Sequence, residues 1–170
     1  MPQSPHYDHI SKIIAGNPDG VPGARKAIKR QYRHLAITAY LTAIVHFIIY
    51  AGQNLTSRGF QPDAAVNQPL LIGIVWVCLA TALLVRPVRL STLFLMWAAI
   101  LEVALLWSTV GWDRVMLLDA YILVQAFFTS GSLFILAEID TYPEDYASLS
   151  EQAQDPVEVP EPQDLAEASR

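Results

Sequence analysis

Apolar residues in this chain come in blocks. Residues 35–51, 69–85, 92–110 and 115–137 form four stretches with almost no charge, separated by short polar segments. As helices rising 1.5 Å per residue, each is about long enough to cross a hydrocarbon layer of roughly 30 Å. A helix of a soluble bundle would carry charge along one face, yet residues 69–85 hold no ionisable side chain other than Cys78. The pattern predicts an all-α, integral membrane four-helix bundle of antiparallel up-down topology. Residues 1–34 precede the bundle, 35–137 build it, and 138–170 follow it. The six-residue link Arg86-Pro87-Val88-Arg89-Leu90-Ser91 is short enough to make the second and third spans antiparallel neighbours.

Composition agrees with the pattern, since 53% of the 170 residues are hydrophobic, more than an ordinary soluble domain of this size carries. The net charge of −5 hides a strong asymmetry. Arg25, Lys26, Lys29, Arg30 and Arg33 form a basic collar before the first span. Counting four spans puts nine Lys and Arg on the side of the N-terminus and only Arg58 and Arg114 on the other. Basic flanks stay cytoplasmic, so both termini are predicted to face the cytoplasm, most simply across a bacterial inner membrane. The collar is expected to meet anionic lipid headgroups or a partner. Residues 138–170 hold ten Asp or Glu against the single Arg170, with a Pro-rich run near Pro156, Pro160 and Pro162, and are predicted to be disordered. Ahead of the collar, Tyr7, Ile10, Ile13 and Ile14 have helical spacing suited to a membrane surface. Residues 15–23 break that pattern, and a helix is expected from about Ala24. The single Cys78 excludes an intrachain disulfide and a Cys-x-x-Cys redox centre.

Against this apolar background the few polar side chains stand out. His34, Thr38, Thr42, His46 and Tyr50 recur every four residues, so they share one side of the first span. Tyr121, Gln125, Thr129 and Ser132 form a second stripe on the fourth. Glu102 lies near the middle of the third, where an ionised carboxylate costs about 2.5–3.5 kcal/mol on insertion scales. It must be protonated, paired or in contact with water. Counted by helical rise, His46 and Glu102 both lie roughly 16–18 Å into the layer, and Gln125 reaches a similar depth from the opposite end. The candidate site is therefore His46, Glu102 and Gln125, with Thr38, Thr42, Tyr50, Tyr121 and Thr129 as a supporting polar stripe. Asp119, nearer the outer end, is expected to pair with Arg114 or Arg58. The simplest alternative for the Thr and Ser residues is interhelical hydrogen bonding.

No nucleotide-binding, metal-hydrolase or serine-nucleophile pattern is present, and no metal site is predicted. No cofactor is predicted either; haem ligation by His46 with Met96 or Met116, or a quinone against His46, is the weakest alternative. The segment Ala98-Ala99-Ile100-Leu101-Glu102-Val103 resembles the membrane glutamate of small multidrug-resistance exporters, although there the acid sits in the first span of a shorter chain. The preferred expectation is a small accessory, assembly or scaffolding subunit of a membrane complex, or a homo-oligomer. Its partners would be the bilayer and another membrane protein rather than nucleic acid. The first alternative is a small proton-coupled transporter using Glu102, and the second a redox subunit using His46.

Overall fold

A computed structural model describes residues 6–17, 19–56, 64–109 and 115–152. They are helical, with no strand among the described residues. The order is α1 (Tyr7–Ala15), α2 (Gly20–Thr56), α3 (Ala64–Val85), α4 (Arg89–Thr109), α5 (Val115–Thr141) and α6 (Pro143–Gln152). Helices α2 to α5 are each long and apolar enough to cross a membrane. All four exceed the predicted blocks. Helix α2 runs 37 residues, about 55 Å, because the collar and the residues after Tyr50 continue the same helix. Helix α3 starts five residues ahead of Pro69, which lies early in the helix, where a missing N–H does least harm.

The chain divides into two compact units. One holds the residues up to Ala24 together with those from Thr141 onward. In it, Ile10 and Ile14, one turn apart on α1, are fully buried, as is Tyr146 of α6. The Tyr7 and Tyr146 rings stack at 5.5 Å. Pro143 opens α6 and is followed by Glu144 and Asp145 in its first turn, the residue types that suit a helix N-terminus. Part of the segment predicted to be disordered is therefore a helix. Tyr146 is the reason, an aromatic anchor that acidic composition obscures. Residues 153–170, including the Pro-rich run, lie outside the described residues. Gly20 takes φ 58°, a left-handed conformation glycine adopts without strain, and starts α2 four residues earlier than predicted.

The second unit, Arg25–Asp140, contains α2 from Arg25 onward, α3, α4, and α5 as far as Asp140. Between α2 and α5, and between α2 and α3, the contacts run in reverse order along the two helices. On α2 and α5, Arg25 meets Asp140 at 2.7 Å, the Ser132 hydroxyl donates to Gln31 at 2.7 Å, and Thr38 donates to Gln125 at 3.5 Å. On α2 and α3, Tyr40 and Thr81 hydroxyls bond at 2.7 Å, and Phe47 lies against Gly73. On α4 and α5, Arg89 sits 5.1 Å over the Phe134 ring. Between α3 and α4 the chain turns at Arg86–Val88, closed by Val88 N–H to Arg86 C=O and by the Ser91 hydroxyl to the same carbonyl.

The interior of this unit is built from small residues and a few large ones. Ala36, Ala39 and Ala43 of α2, Ala80 of α3, Ala99 of α4 and Ala126 of α5 are buried among Leu35, Trp76, Leu83, Leu95 and Ile122. Alanine seams of this kind let helix backbones approach closely. By contrast, only 22–33% of each apolar stretch is buried, and Ile48, Leu71, Trp97, Leu101, Phe127 and Phe128 point outward.

Gly73 is a close-approach position, because a Cβ there would lie 2.7 Å from the Phe47 ring. Replacing Gly73 with Val is expected to cost about 1–3 kcal/mol by overpacking. Gly131, where a Cβ meets nothing within 4 Å, should accept Ala without loss. Thermal melts of the two variants in detergent would show the contrast.

Candidate functional site, a buried polar layer across four helices

The reverse pairing of the helices sets which residues share a height. Phe47 against Gly73 places Trp76, one turn further along α3, beside the His46 level of α2. The same α3–α4 hairpin brings Trp76 to Glu102. There the Trp76 indole N–H donates to Glu102 Oε2 at 2.5 Å. His46 Nε2 lies 2.5 Å from Glu102 Oε1, so one carboxylate holds an imidazole on one oxygen and an indole on the other. All three side chains are buried: Trp76 is 1% exposed, His46 3% and Glu102 5%.

Helix α5 supplies the fourth member. Asp119 is fully buried, and neither carboxyl oxygen has a hydrogen-bond partner among the described residues. It lies within electrostatic range of Glu102. Following the α2–α5 pairing upward from Thr38 and Gln125 also brings Asp119 to the height of His46. Each of the four long helices therefore contributes one side chain to a single layer: His46, Trp76, Glu102 and Asp119. Arg58 and Arg114, the partners expected for Asp119, lie outside the described residues.

The other residues singled out from the sequence occupy a different height. Gln125 is not at the Glu102 level. Its amide donates to the Tyr121 hydroxyl at 2.5 Å, and its Oε1 accepts from Thr38. Thr38 lies eight residues before His46, about 12 Å along α2. Gln125 was matched to His46 by counting equally from the ends of the first and fourth spans. Those ends are not level, because α2 continues to Thr56 past the height where α5 begins. Thr38 also bonds the His34 carbonyl at 3.0 Å, and Thr42, fully buried, bonds the Thr38 carbonyl at 3.1 Å. These hydroxyls are satisfied by their own helix. Thr129 is buried with no partner for its hydroxyl among the described residues, and Tyr50 is half-buried. In the collar, Arg25 is held by Asp140 and Arg30 Nε donates to His34 at 3.4 Å. Lys26, Lys29 and Arg33 share a shallow depression with Arg30 and His34.

Two members of the layer, Trp76 and Asp119, were not among the candidate site residues. Asp119 was visible as a second acid in an apolar span. Trp76 sits in a continuous apolar run, where a tryptophan carries no periodic signal that separates it from lipid-facing neighbours. Chemically, the layer holds two carboxyl groups against one imidazole. Between the collar and the far ends of the helices, the described parts of the four spans contain no Lys or Arg. Among the described residues, no group of three or more His, Cys, Asp and Glu is arranged to hold a metal ion. Comparison with known protein families, curated proteins and solved structures finds no match.

Removing one partner of a buried ion pair leaves the other uncompensated, at a cost of about 3–5 kcal/mol, whereas replacing both by apolar residues can be neutral. His46→Leu and Glu102→Leu should each lower stability in detergent. The double variant should lose clearly less than the two losses combined. Additive losses in a double-mutant cycle would show that the pair is not coupled.

Proposed function

We propose that this chain is an integral membrane protein of a bacterial cytoplasmic membrane, an antiparallel up-down bundle with both termini in the cytoplasm. The outward apolar faces support insertion, since most of each long helix would otherwise expose hydrocarbon to water. The reverse-order contacts support the topology, and the nine-to-two distribution of basic residues supports the orientation.

Within that frame the function best supported is proton-coupled transport, with Glu102 binding and releasing the proton. The observation that carries it is the His46–Glu102 contact inside a layer to which all four helices contribute. Ionisable side chains at such depth are expensive and mark ion or proton sites. A carboxylate held between an imidazole and an indole, with a second carboxyl close by, has the parts for proton exchange. His46 shares its proton and Trp76 orients the carboxylate.

A second reading, an accessory or assembly subunit of a larger membrane complex or a homo-oligomer, draws on the terminal unit. There α1 and α6 form one folded body around Ile10, Ile14 and Tyr146, which on the cytoplasmic side would offer a surface to a partner.

Reconstituted protein loaded with a pH-sensitive dye is expected to move protons in response to a gradient. Glu102→Gln should abolish that movement while the variant still reconstitutes, and His46→Gln should slow it. If Glu102→Gln moves protons at the wild-type rate, the transport reading fails. Copurification of a stoichiometric second protein, with no proton movement, would favour the accessory reading.

A further inference from the structure

The basic collar is one-sided. Lys26, Lys29, Arg30 and Arg33 line a single depression of about 390 Å³ on α2, together with His34 and Ile37, and all six are exposed. At about 3.6 residues per turn they fall on one face of the helix, while Ile28, Leu35 and Ala36 turn into the core. Arg25, the fifth member of the collar, lies off this stripe and is held by Asp140. No carboxylate among the described residues meets the other four cations, and residues 26–48 contain no Asp or Glu. Like charges three and four residues apart oppose the helix that carries them, so an anion seated in the depression stabilises α2.

What continues from the stripe says which anion. On the same face, one turn past Arg33, Ile37 is followed by Leu41, Ile44 and Ile48, each at least half exposed. The cationic part, Lys26 to Arg33, spans about 10.5 Å and the apolar part, Ile37 to Ile48, about 16.5 Å. The second length is close to one leaflet, half of a hydrocarbon layer of roughly 30 Å. A soluble acidic peptide would match the first part and leave the second bare. A phospholipid has both parts in the same order, a charged head and then an acyl chain. Charge sets the class of head. Four cations along that length exceed what one phosphodiester neutralises, and two phosphates fill it better. Arg30 Nε donates to His34 at 3.4 Å, leaving the terminal N–H groups of its guanidinium for a phosphate.

We infer that this face of α2 binds one phospholipid whose head carries two phosphates. The head sits in the depression between Lys26 and Arg33, and an acyl chain runs along Ile37, Leu41, Ile44 and Ile48. The inference rests on membrane insertion and is independent of the transport reading.

Native mass spectrometry of the full-length protein in detergent, titrated with diphosphatidylglycerol, phosphatidylglycerol or phosphatidylcholine, counts the bound lipids and gives their affinities. One diphosphatidylglycerol should bind about tenfold more tightly than phosphatidylglycerol, and phosphatidylcholine more weakly still. Lys29→Gln combined with Arg33→Gln should weaken that binding by about tenfold. Arg86→Gln removes a cation outside the stripe and should leave it unchanged. Without lipid, none of these variants should melt below the wild type, because the substituted side chains are exposed. Pyrophosphate, which has two phosphates and no chain, should not displace the lipid at equal concentration. Displacement by pyrophosphate or by a Glu-rich peptide would overturn the inference in favour of a soluble anion. Equal affinities for the one-phosphate and two-phosphate lipids, or unchanged binding in the double variant, would also overturn it. Insertion is read separately, by spinning broken cells at high speed without detergent. A chain left in the supernatant fails the insertion reading, whereas one that pellets with membranes and binds no diphosphatidylglycerol fails this inference alone.

Discussion

A carboxylate placed among apolar helices needs a partner, and the arrangement of α2 to α5 can be understood from how Glu102 obtains two. With hydrocarbon around the bundle, as proposed, apolar packing alone discriminates poorly between helix registers, since lipid tails solvate leucine as well as another leucine does. Polar contacts do discriminate. The His46–Glu102 pair holds α2 and α4 at one relative height, and the Trp76 indole holds α3 at the same height. Sliding any of these helices by one turn, about 5.4 Å, would separate the carboxylate from a donor. The cost of a bare charge at that depth is large compared with the few tenths of a kcal/mol that a typical interhelical hydrogen bond contributes. The alanine seam follows from the same requirement. Ala39, Ala43 and Ala99 are small enough for the helices to come within reach of one another's short side chains.

The remaining polar contacts divide by what they do. Thr42 bonds the carbonyl one turn back on its own helix, which satisfies the hydroxyl without reference to a neighbour. Ser132 with Gln31, Thr38 with Gln125, and Tyr40 with Thr81 cross between helices and repeat the register set by Glu102. Arg25 with Asp140 lies at the exposed end, where an ion pair contributes little but agrees with the same pairing. Asp119 is the exception. Its oxygens are buried and unpartnered among the described residues, so the layer contains unsatisfied acceptors at the point where its partner acid is fully occupied. A buried polar group without a bond is costly. Its retention fits a site that fills and empties better than one that only packs.

Much of this was legible in the chain and some was not, for identifiable reasons. Span positions followed from block length, because hydrocarbon thickness and helical rise leave little choice. The meeting of His46 and Glu102 followed from the same arithmetic applied to the first and third apolar blocks. Gln125 was placed wrongly because its depth was counted from the opposite end, which assumes that helices stop where apolar character stops. Helix α2 does not, and Asn54 and Thr56 extend it. Trp76 was silent because an indole in an apolar run looks the same whether it faces lipid or donates to an acid. Tyr146 was hidden for the converse reason, a single aromatic residue inside a segment whose average composition is acidic. In each case, composition or counting described the segment correctly and missed the one contact that an individual side chain makes.

The position of the layer along the bundle gives it two different surroundings. Asp119 lies four residues into α5, about 6 Å from its start, and Glu102 lies closer to Thr109 than to Arg89, so the layer is displaced toward the end away from the collar. Its acid without hydrogen-bond partners among the described residues is thus near the end where water is closest under the proposed orientation. Its paired acid borders an apolar groove between α3 and α4. Asp119 itself is fully buried, so neither surrounding reaches its carboxyl group in this conformation.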